Sequence, residues 1–396
     1  MRKIREREIL GRELRANPAC ELVLSDRLEP EARRSLADLE KDPGFYGVLR
    51  SGPGPDAGVK AVDRDTALLF LTLREAGPLP AYVRRISGED AARTVARLVA
   101  DGVLEIAGGN GFVSGAAAFD LLWDEGGDEK GGGRLAALSI AALRYGQALA
   151  IEDPVRLSLR LYGYNRRPLT PAWKRLLPDA EAVEHHLGIG PGGAHRRLLD
   201  QGWSRTGASE FWLSWRRRGD DSAGRPAGGT WKLYVSPEPE ALADGFGSIL
   251  EALAAARTPQ IKIGADAAGL LRPDKMVAYY PSFERLAAAA DSLAERLAGT
   301  PAQGVPFTSE IAGGGLLSWG VDPPLEGSWS GGESWRLWLT HRLATALLAG
   351  KSAAGSDIAS IEPNNIEPWR FALERLRLEG VDTDSWTPGA RLFREG

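Results

Sequence analysis

Between residues 230 and 350, short β-prone runs alternate with stretches long enough for helices, and this alternation restricts the architecture more than any other property of the chain. "TWKLYVSP" reads as a strand, Glu238–Arg257 as a helix, and Gln260–Gly264 and the run ending in Tyr279 and Tyr280 as two strands. Phe283–Leu297 then reads as a helix, "GVPFT" and "LLSWGVDPP" as short strands, and Ser334–Leu348 as a helix. Such a pattern predicts a sheet covered by helices. Strand side chains alternate faces, so Lys262 must point away from Ile261 and Ile263, and Lys232 and Tyr234 must share the face opposite Leu233 and Val235.

Upstream, residues 1–42 read as helix, with an apolar stripe through Ile9, Leu14, Leu22, Leu24 and Leu28 and a second helix around Glu29–Leu39. "FYGVLRSGPGPDAGVKAV" predicts a hairpin around a Gly/Pro turn, and "DRDTALLFLTLREAG" a helix closed by Gly77. A helix over Gly88–Ala100 precedes the runs Val103–Ile106 and Phe112–Val113, and helices followed by a small hairpin make the winged-helix pattern. "DEGGDEKGGGR" (124–134) has no apolar period and reads as a linker. The chain is helical from Leu135 to about Tyr164; Trp203–Arg218 contains a strand, and 220–229 a flexible turn. The expected class is α+β, with a winged-helix domain over 1–122, a linker over 123–134 and a helix-covered sheet domain over 135–396.

The length of 396 residues suits two or three domains. A net charge of −4 supplies no global field toward nucleic acid or an anionic membrane, so any basic site must be local. Cys20 is the single cysteine, which excludes an internal disulfide framework and a cysteine metal cluster. "MRKIREREILGRELR" lacks the apolar segment of a signal peptide, and no window reaches the about 18 apolar residues of a membrane span. The expected location is the cytoplasm, with neither nucleic acid nor membrane as partner. His185 and His186 are adjacent and diverge, with no third ligand at zinc spacing, and "GIGPGG" lacks the Gly-Lys-Ser ending of a phosphate loop. No metal site is expected. Trp319, Trp329, Trp335 and Trp338 read as core packing more readily than as a binding groove.

The chemistry that the sheet domain could carry is cationic. Lys232, Lys262, Arg272, Lys275, Arg336 and Arg342, with Tyr279 and His341, are spread over elements that one sheet could bring to a common mouth. Arginine forks and lysine point charges there would hold an anion such as phosphate. Taken singly, each is an ordinary solvated lysine, surface arginine or satisfied histidine.

"WKLYVSPEPEALADGFGSILEALA", "IKIGADAAGLLRPDKMVAYY", "GVPFT" and "ESWRLWLTHRLATALL", preceded by "LYGYN" and "LLDQGWSRTGASEFWLSWRRRG", resemble the lyase family that includes the HopA-type effectors. That family is related to the phosphothreonine lyases of type III secretion and to the lyases of class V lanthipeptide biosynthesis, and the resemblance covers roughly residues 140–350. It implies β-elimination of phosphate from phosphoserine or phosphothreonine, without a cofactor. Lys262 matches the family's base and Lys232 the lysine near the carbonyl or phosphate. Arg272, Lys275, Arg336, Arg342 and Tyr279 are the phosphate-binding candidates. The phosphothreonine lyases carry Lys-x-His on the first strand, where this chain has Tyr234. Tyr234 could be the acid, His341 could replace it, the phosphate could leave without a strong acid, or the site could be impaired.

"FYGVLR", "GVKAVDRDTALLFLTLREAGPLPAYV" and "ARTVARLVADGVLEI" resemble a PqqD-like precursor-peptide recognition element. Such a module takes a leader peptide as an added strand. The resemblance implies contacts from Tyr46, Val48, Val59 and Val62 on the strands Phe45–Arg50 and Val59–Val62, and from Arg93 and Arg97 on the adjoining helix. The implied partners are a precursor peptide and a separate kinase-like protein, because this chain carries no kinase motif. The alternatives are a non-catalytic precursor- or kinase-binding protein with a lyase-like fold, and a winged-helix regulator using Arg93 and Arg97 on DNA against the acidic overall charge.

Overall fold

The computed structural model describes residues 2–28, 30–36, 43–51, 58–109, 111–124, 132–209, 211–219, 230–323, 333–355, 367–389 and 392. The expected turn at 220–229, residues 125–131 of the expected linker, and Trp329 lie outside the described residues. The chain divides into two compact units: Met1–Lys130 with Thr345–Gly380, and Gly131–Leu325 with Gly332–Ala344 and Val381–Gly396. Thr345–Gly380 therefore belongs with the first unit, so the second is not the continuous span 135–396. Its helix Pro368–Leu378 buries Trp369, Phe371 and Leu373. Arg375 pairs with Asp101 at 2.7 Å just past the helix Ala91–Ala100.

In the first unit, β1 (Glu13–Ala16), β2 (Cys20–Leu24), β3 (Phe45–Ser51) and β4 (Gly58–Asp63) precede the helix Arg64–Thr72. Next come β5 (Gly77–Pro78), the helices Ala81–Ser87 and Ala91–Ala100, and a hairpin of β6 (Leu104–Gly108) and β7 (Gly111–Val113). Two antiparallel sheets result, in the orders β2-β3-β4 and β5-β1-β6-β7. Asp63 starts the Arg64–Thr72 helix by accepting the Thr66 amide at 2.7 Å, one of the donors a helix start leaves unmatched.

The helix expected across residues 13–24 is corrected to β1 and β2. Asn17 and Pro18 break the segment, the Asn17 side chain accepting from the Ala19 amide at 2.9 Å and donating to Gly102 O at 2.8 Å. Leu14 and Ala16 then enter the core two residues apart, the period of a strand. The expected Glu29–Leu39 helix is described only as Pro30–Ser35.

The second unit is built on seven strands in the order β13-β14-β10-β12-β11-β9-β8, antiparallel at every pairing. They are β8 (Trp203–Ser209), β9 (Trp212–Arg217), β10 (Trp231–Val235), β11 (Gln260–Gly264), β12 (Met276–Tyr280), β13 (Ser309–Ala312) and β14 (Leu317–Val321). One face packs into a large apolar core with the helices Pro239–Ala255 and Phe283–Arg296, through Leu233, Val235, Ile261, Ile263, Met276 and Ala278. Trp335 and Trp338 are buried and stacked with ring centroids 5.4 Å apart, and Trp319 packs with Trp231 and Phe283, so these tryptophans serve packing. Among the described residues, no helix is long and apolar enough to cross a membrane.

Candidate active site

With alternate residues of β10, β11 and β12 committed to the core, the opposite face must hold Lys232, Tyr234, Lys262, Val277 and Tyr279. Register sets Lys232 opposite Tyr279 and Lys262 opposite Val277, placing the two lysines on either side of β12. Their ammonium groups lie 5.6 and 5.5 Å from the centroid of the same Tyr279 ring. Lys262 also lies 4.1 Å from the ring centroid of Trp212, which opens β9 opposite Gly264.

The loop after β11 brings Arg272 back to this face. Asp266 caps the short helix Ala267–Leu270, accepting the Gly269 amide at 2.7 Å. Gly264 and Gly269 touch backbone to backbone: a Cβ on Gly264 would come within 2.4 Å of Gly269 C, so only glycine permits so tight a return. Arg272 then grips Asp274 with two bonds of 2.9 Å, a bidentate fork, and stands 5.0 Å from the Trp212 ring centroid. Asp274 also accepts from Tyr162 Oη at 3.0 Å and pairs with Arg336 at 2.9 Å. Arg336 is wholly buried and further donates to the carbonyls of Pro306 and Tyr162.

A second carboxylate organises Lys232. Asp322, just past β14, pairs with the Lys232 ammonium at 2.5 Å while its other oxygen accepts the Trp335 amide at 3.0 Å, at the start of the helix Trp335–Gly355. Gly320 lies opposite Lys232, where a Cβ would meet Trp335 at 2.8 Å, so the helix seats directly on the strand. Lys232, Lys262, Arg272 and Arg336 stand against two buried carboxylates, Asp322 and Asp274. With all four charged, the cluster carries an excess of two positive charges.

Electrostatics separate the members. Burial lowers the Lys262 pKa, and the charges of Lys232 and Arg272 lower it further, to about 8 against the partial opposition of Asp274 and Asp322. The faces of Trp212 and Tyr279 work toward the ammonium form. Tyr234 is itself buried, and burial raises its pKa well above the ordinary phenol value, with Asp322 adding to this, so Tyr234 stays protonated and is a weaker acid than an ordinary phenol. Burial pushes Tyr162 up to about 12, reinforced by Asp274. For Asp274 burial acts upward, but Arg336 and Arg272 override it and hold the carboxyl well below the usual range.

The structure thus gathers Lys232, Tyr234, Lys262, Tyr279 and Arg272 on one face. Arg336 joins them through Asp274 and is itself wholly buried, so it supports Arg272 and does not offer its guanidinium to a ligand; its assignment as a direct phosphate contact is corrected. Lys275 is also corrected. It is fully buried, donating to Pro237 O at 2.8 Å and to Gln303 Oε1 at 2.5 Å, and burial brings its pKa down to about 7. Arg342 lies 3.7 Å from the Trp338 ring centroid, and His341 pairs with Glu333 at 2.7 Å. Asp322, Trp212 and Tyr162 escaped sequence reasoning. Each is an unremarkable residue type at the end of an element, and only pairing across the sheet reveals it. Among the described residues, no group of three or more His, Cys, Asp or Glu side chains is placed to share a metal ion.

In the first unit, β3 is the central strand of β2-β3-β4: Val48 lies on backbone paired on both sides and cannot receive an added strand, while Tyr46 sits at the register shift between Phe45 and Gly47. Val48 and Val62 are buried. Arg93 donates to the carbonyls of Arg377 and Leu378, which commits it to the end of the helix Pro368–Leu378. Arg97 is exposed on the Ala91–Ala100 helix, and the Val59 side chain lies outside the described residues.

No protein-family model and no curated relative matches the sequence. Among solved structures, the chain is similar to an effector protein from Pseudomonas syringae pv. tomato strain DC3000, at 11% identity over 63% of this chain and 97% of that one, with a TM-score of 0.41. An effector protein from Pseudomonas syringae pv. syringae strain 61 shares 14% identity over 65% of this chain and 99% of that one, with a TM-score of 0.37. The phosphothreonine lyase effector VirA of Chromobacterium violaceum shares 14% over 43% of this chain and 77% of that one, with a TM-score of 0.25. At these values the functional reading rests on the chain's own side chains.

Proposed function

We propose that the second unit is a carbon–oxygen lyase that eliminates phosphate from phosphoserine or phosphothreonine. The observation that carries this is Lys262: an amine brought to a pKa of about 8, beside a fixed surplus of positive charge. Elimination needs a base for a weakly acidic Cα proton, a cation for the enolate charge that develops on the carbonyl, and an anion site for the leaving group. Lys262 takes the Cα proton, the electron pair forms the Cα–Cβ double bond, and the Cβ–O bond breaks to release phosphate. Lys232, fixed by Asp322, faces the carbonyl; Arg272, fixed by Asp274, receives the phosphate oxygens; Tyr234 protonates the leaving group. Engagement of His341 with Glu333 favours Tyr234 for that role. The step balances on side chains alone.

A matched peptide pair tests the anion site. The phosphoserine peptide should bind more tightly than its unphosphorylated twin, and Arg272→Ala should remove about 1.5–3 kcal/mol of that difference. Calorimetry at low and physiological salt reads both quantities. Equal affinity for the two peptides in the wild-type protein would overturn the lyase reading.

For the whole chain we propose action on a leader-bearing precursor in lanthipeptide-like peptide biosynthesis, after phosphorylation by a separate kinase-like protein. Support comes from the first unit, where a three-stranded sheet is followed by three helices and a hairpin, the order of a winged-helix recognition element. Of the two strands expected to accept the leader, β4 is the one left as an edge, since it ends the sheet among the described residues whereas β3 is central. Lys60 on β4 donates to Asp101 O, drawing the end of the Ala91–Ala100 helix to that edge. Fluorescence anisotropy with the full chain should show leader binding that a proline at the leader's centre weakens, since proline removes a backbone donor. Tight binding of duplex DNA with no leader binding would make the unit a regulator module.

A further inference from the structure

The turn that follows the helix Pro154–Tyr162 carries an arginine that the mechanism above does not use. Asn165 adopts a left-handed conformation (φ 67°), and its side chain donates to the carbonyls of Gln303 and Gly304 at 2.9 Å each. Gln303 returns a bond of 2.6 Å to Asn165 O. On the other side, the Arg167 amide donates to Leu271 O at 3.0 Å, and its guanidinium is spent on Glu238, with one bond of 2.8 Å. Arg166 is held between these two anchors. It and Arg272 are each one residue from the Arg167–Leu271 backbone bond, and Arg166 is solvent-exposed whereas Arg272 is partly buried.

Holding one arginine beside another is unfavourable unless a negative charge is shared between them. The carboxylates that Arg166 senses are Asp274 and Asp266. Asp274 is already divided between Arg272 and Arg336, and Asp266 caps its own short helix. Although Arg166 lies at the surface, desolvation pulls its guanidinium pKa down, and the charge of nearby Arg272 adds to this. We propose that Arg166 is the outer arm of the anion site, closing with Arg272 on the phosphomonoester of the substrate. This inference rests on the lyase reading and adds to it a residue that selects the dianionic phosphate at the site's open side. A guanidinium fork suits two phosphate oxygens, and a turn fixed on both flanks holds it in place before the ligand arrives.

The test is calorimetry of inorganic phosphate and of a phosphothreonine peptide, using the full chain as wild type, Arg166→Ala, Arg166→Lys and Arg272→Ala. Arg166→Ala should weaken both ligands by about five- to tenfold, with Arg166→Lys in between because it keeps the charge and loses the fork. In turnover, KM for the phosphopeptide should rise by a similar factor while kcat stays within about twofold, since this contact is made in ground and transition state alike. If the wild type binds phosphate and Arg166→Ala binds it equally well, Arg166 is a surface residue and this inference falls while the lyase reading stands. If the wild type binds neither phosphate nor phosphopeptide in preference to the unphosphorylated twin, the lyase reading falls and takes the inference with it.

Discussion

Replacing Lys262 by alanine is expected to lower kcat for phosphate elimination by about a hundredfold to ten-thousandfold, the range of a positioned general base. Phosphopeptide affinity should change little, because the amine acts on a proton that moves only in the transition state. Mass spectrometry of a phosphorylated peptide would follow the loss of phosphoric acid, and calorimetry the binding. The wild-type pH profile should rise as Lys262 loses its proton through about pH 8, since its ordinary value of 10.5 is lowered and only the neutral amine can act. At pH 7 about one molecule in ten carries that amine. The Lys262→Ala protein should lack this limb. Undiminished elimination by the variant would remove Lys262 from the mechanism, and a wild-type rate that is flat between pH 6 and about 9 would deny it the base role.

Asp274→Asn should be the most destabilising single conservative change in the second unit, costing about 3–5 kcal/mol, because it leaves Arg336 buried without its counter-ion and frees the Arg272 fork. Denaturant titration measures the cost. Acid sensitivity supplies an independent reading. The Asp274 pKa in the folded protein lies well below its ordinary value of 3.8, so the carboxylate contributes stability above about pH 4 that is lost as pH falls further. The asparagine variant should show a correspondingly flatter acid limb. A loss below about 1 kcal/mol would mean that the arginines find other partners and that the cluster is not organised by this carboxylate.

Much of the face that carries the candidate site is legible from strand alternation. Two apolar neighbours on either side of Lys262 fix its direction, and the "WKLYV" run does the same for Lys232 and Tyr234. What sits at element ends is not fixed by a period. Lys275 and Arg272 flank Pro273 and Asp274 in one polar turn, yet Arg272 faces the site while Lys275 is buried against Gln303 and Pro237, 28 and 38 positions away in the chain. Arg336 and Asp322 belong to the same class. The first unit shows the same limit at the level of strands. The β3–β4 hairpin is readable from its turn, but β2 arrives from upstream of the hairpin and converts β3 from an edge into a centre. The return of Thr345–Gly380 to the first unit has no local signal at all.

The double use of Asp322 has a consequence for how an active molecule comes into being. The same carboxylate that holds Lys232 also marks where the helix Trp335–Gly355 begins, with Trp335 seated over Gly320 on the neighbouring strand. A chain that has formed the sheet but not yet docked this helix lacks the scaffold that fixes Asp322, and its lysine pair is left unsorted into base and cation. Under the proposed lyase reading, turnover is tied to completion of the fold.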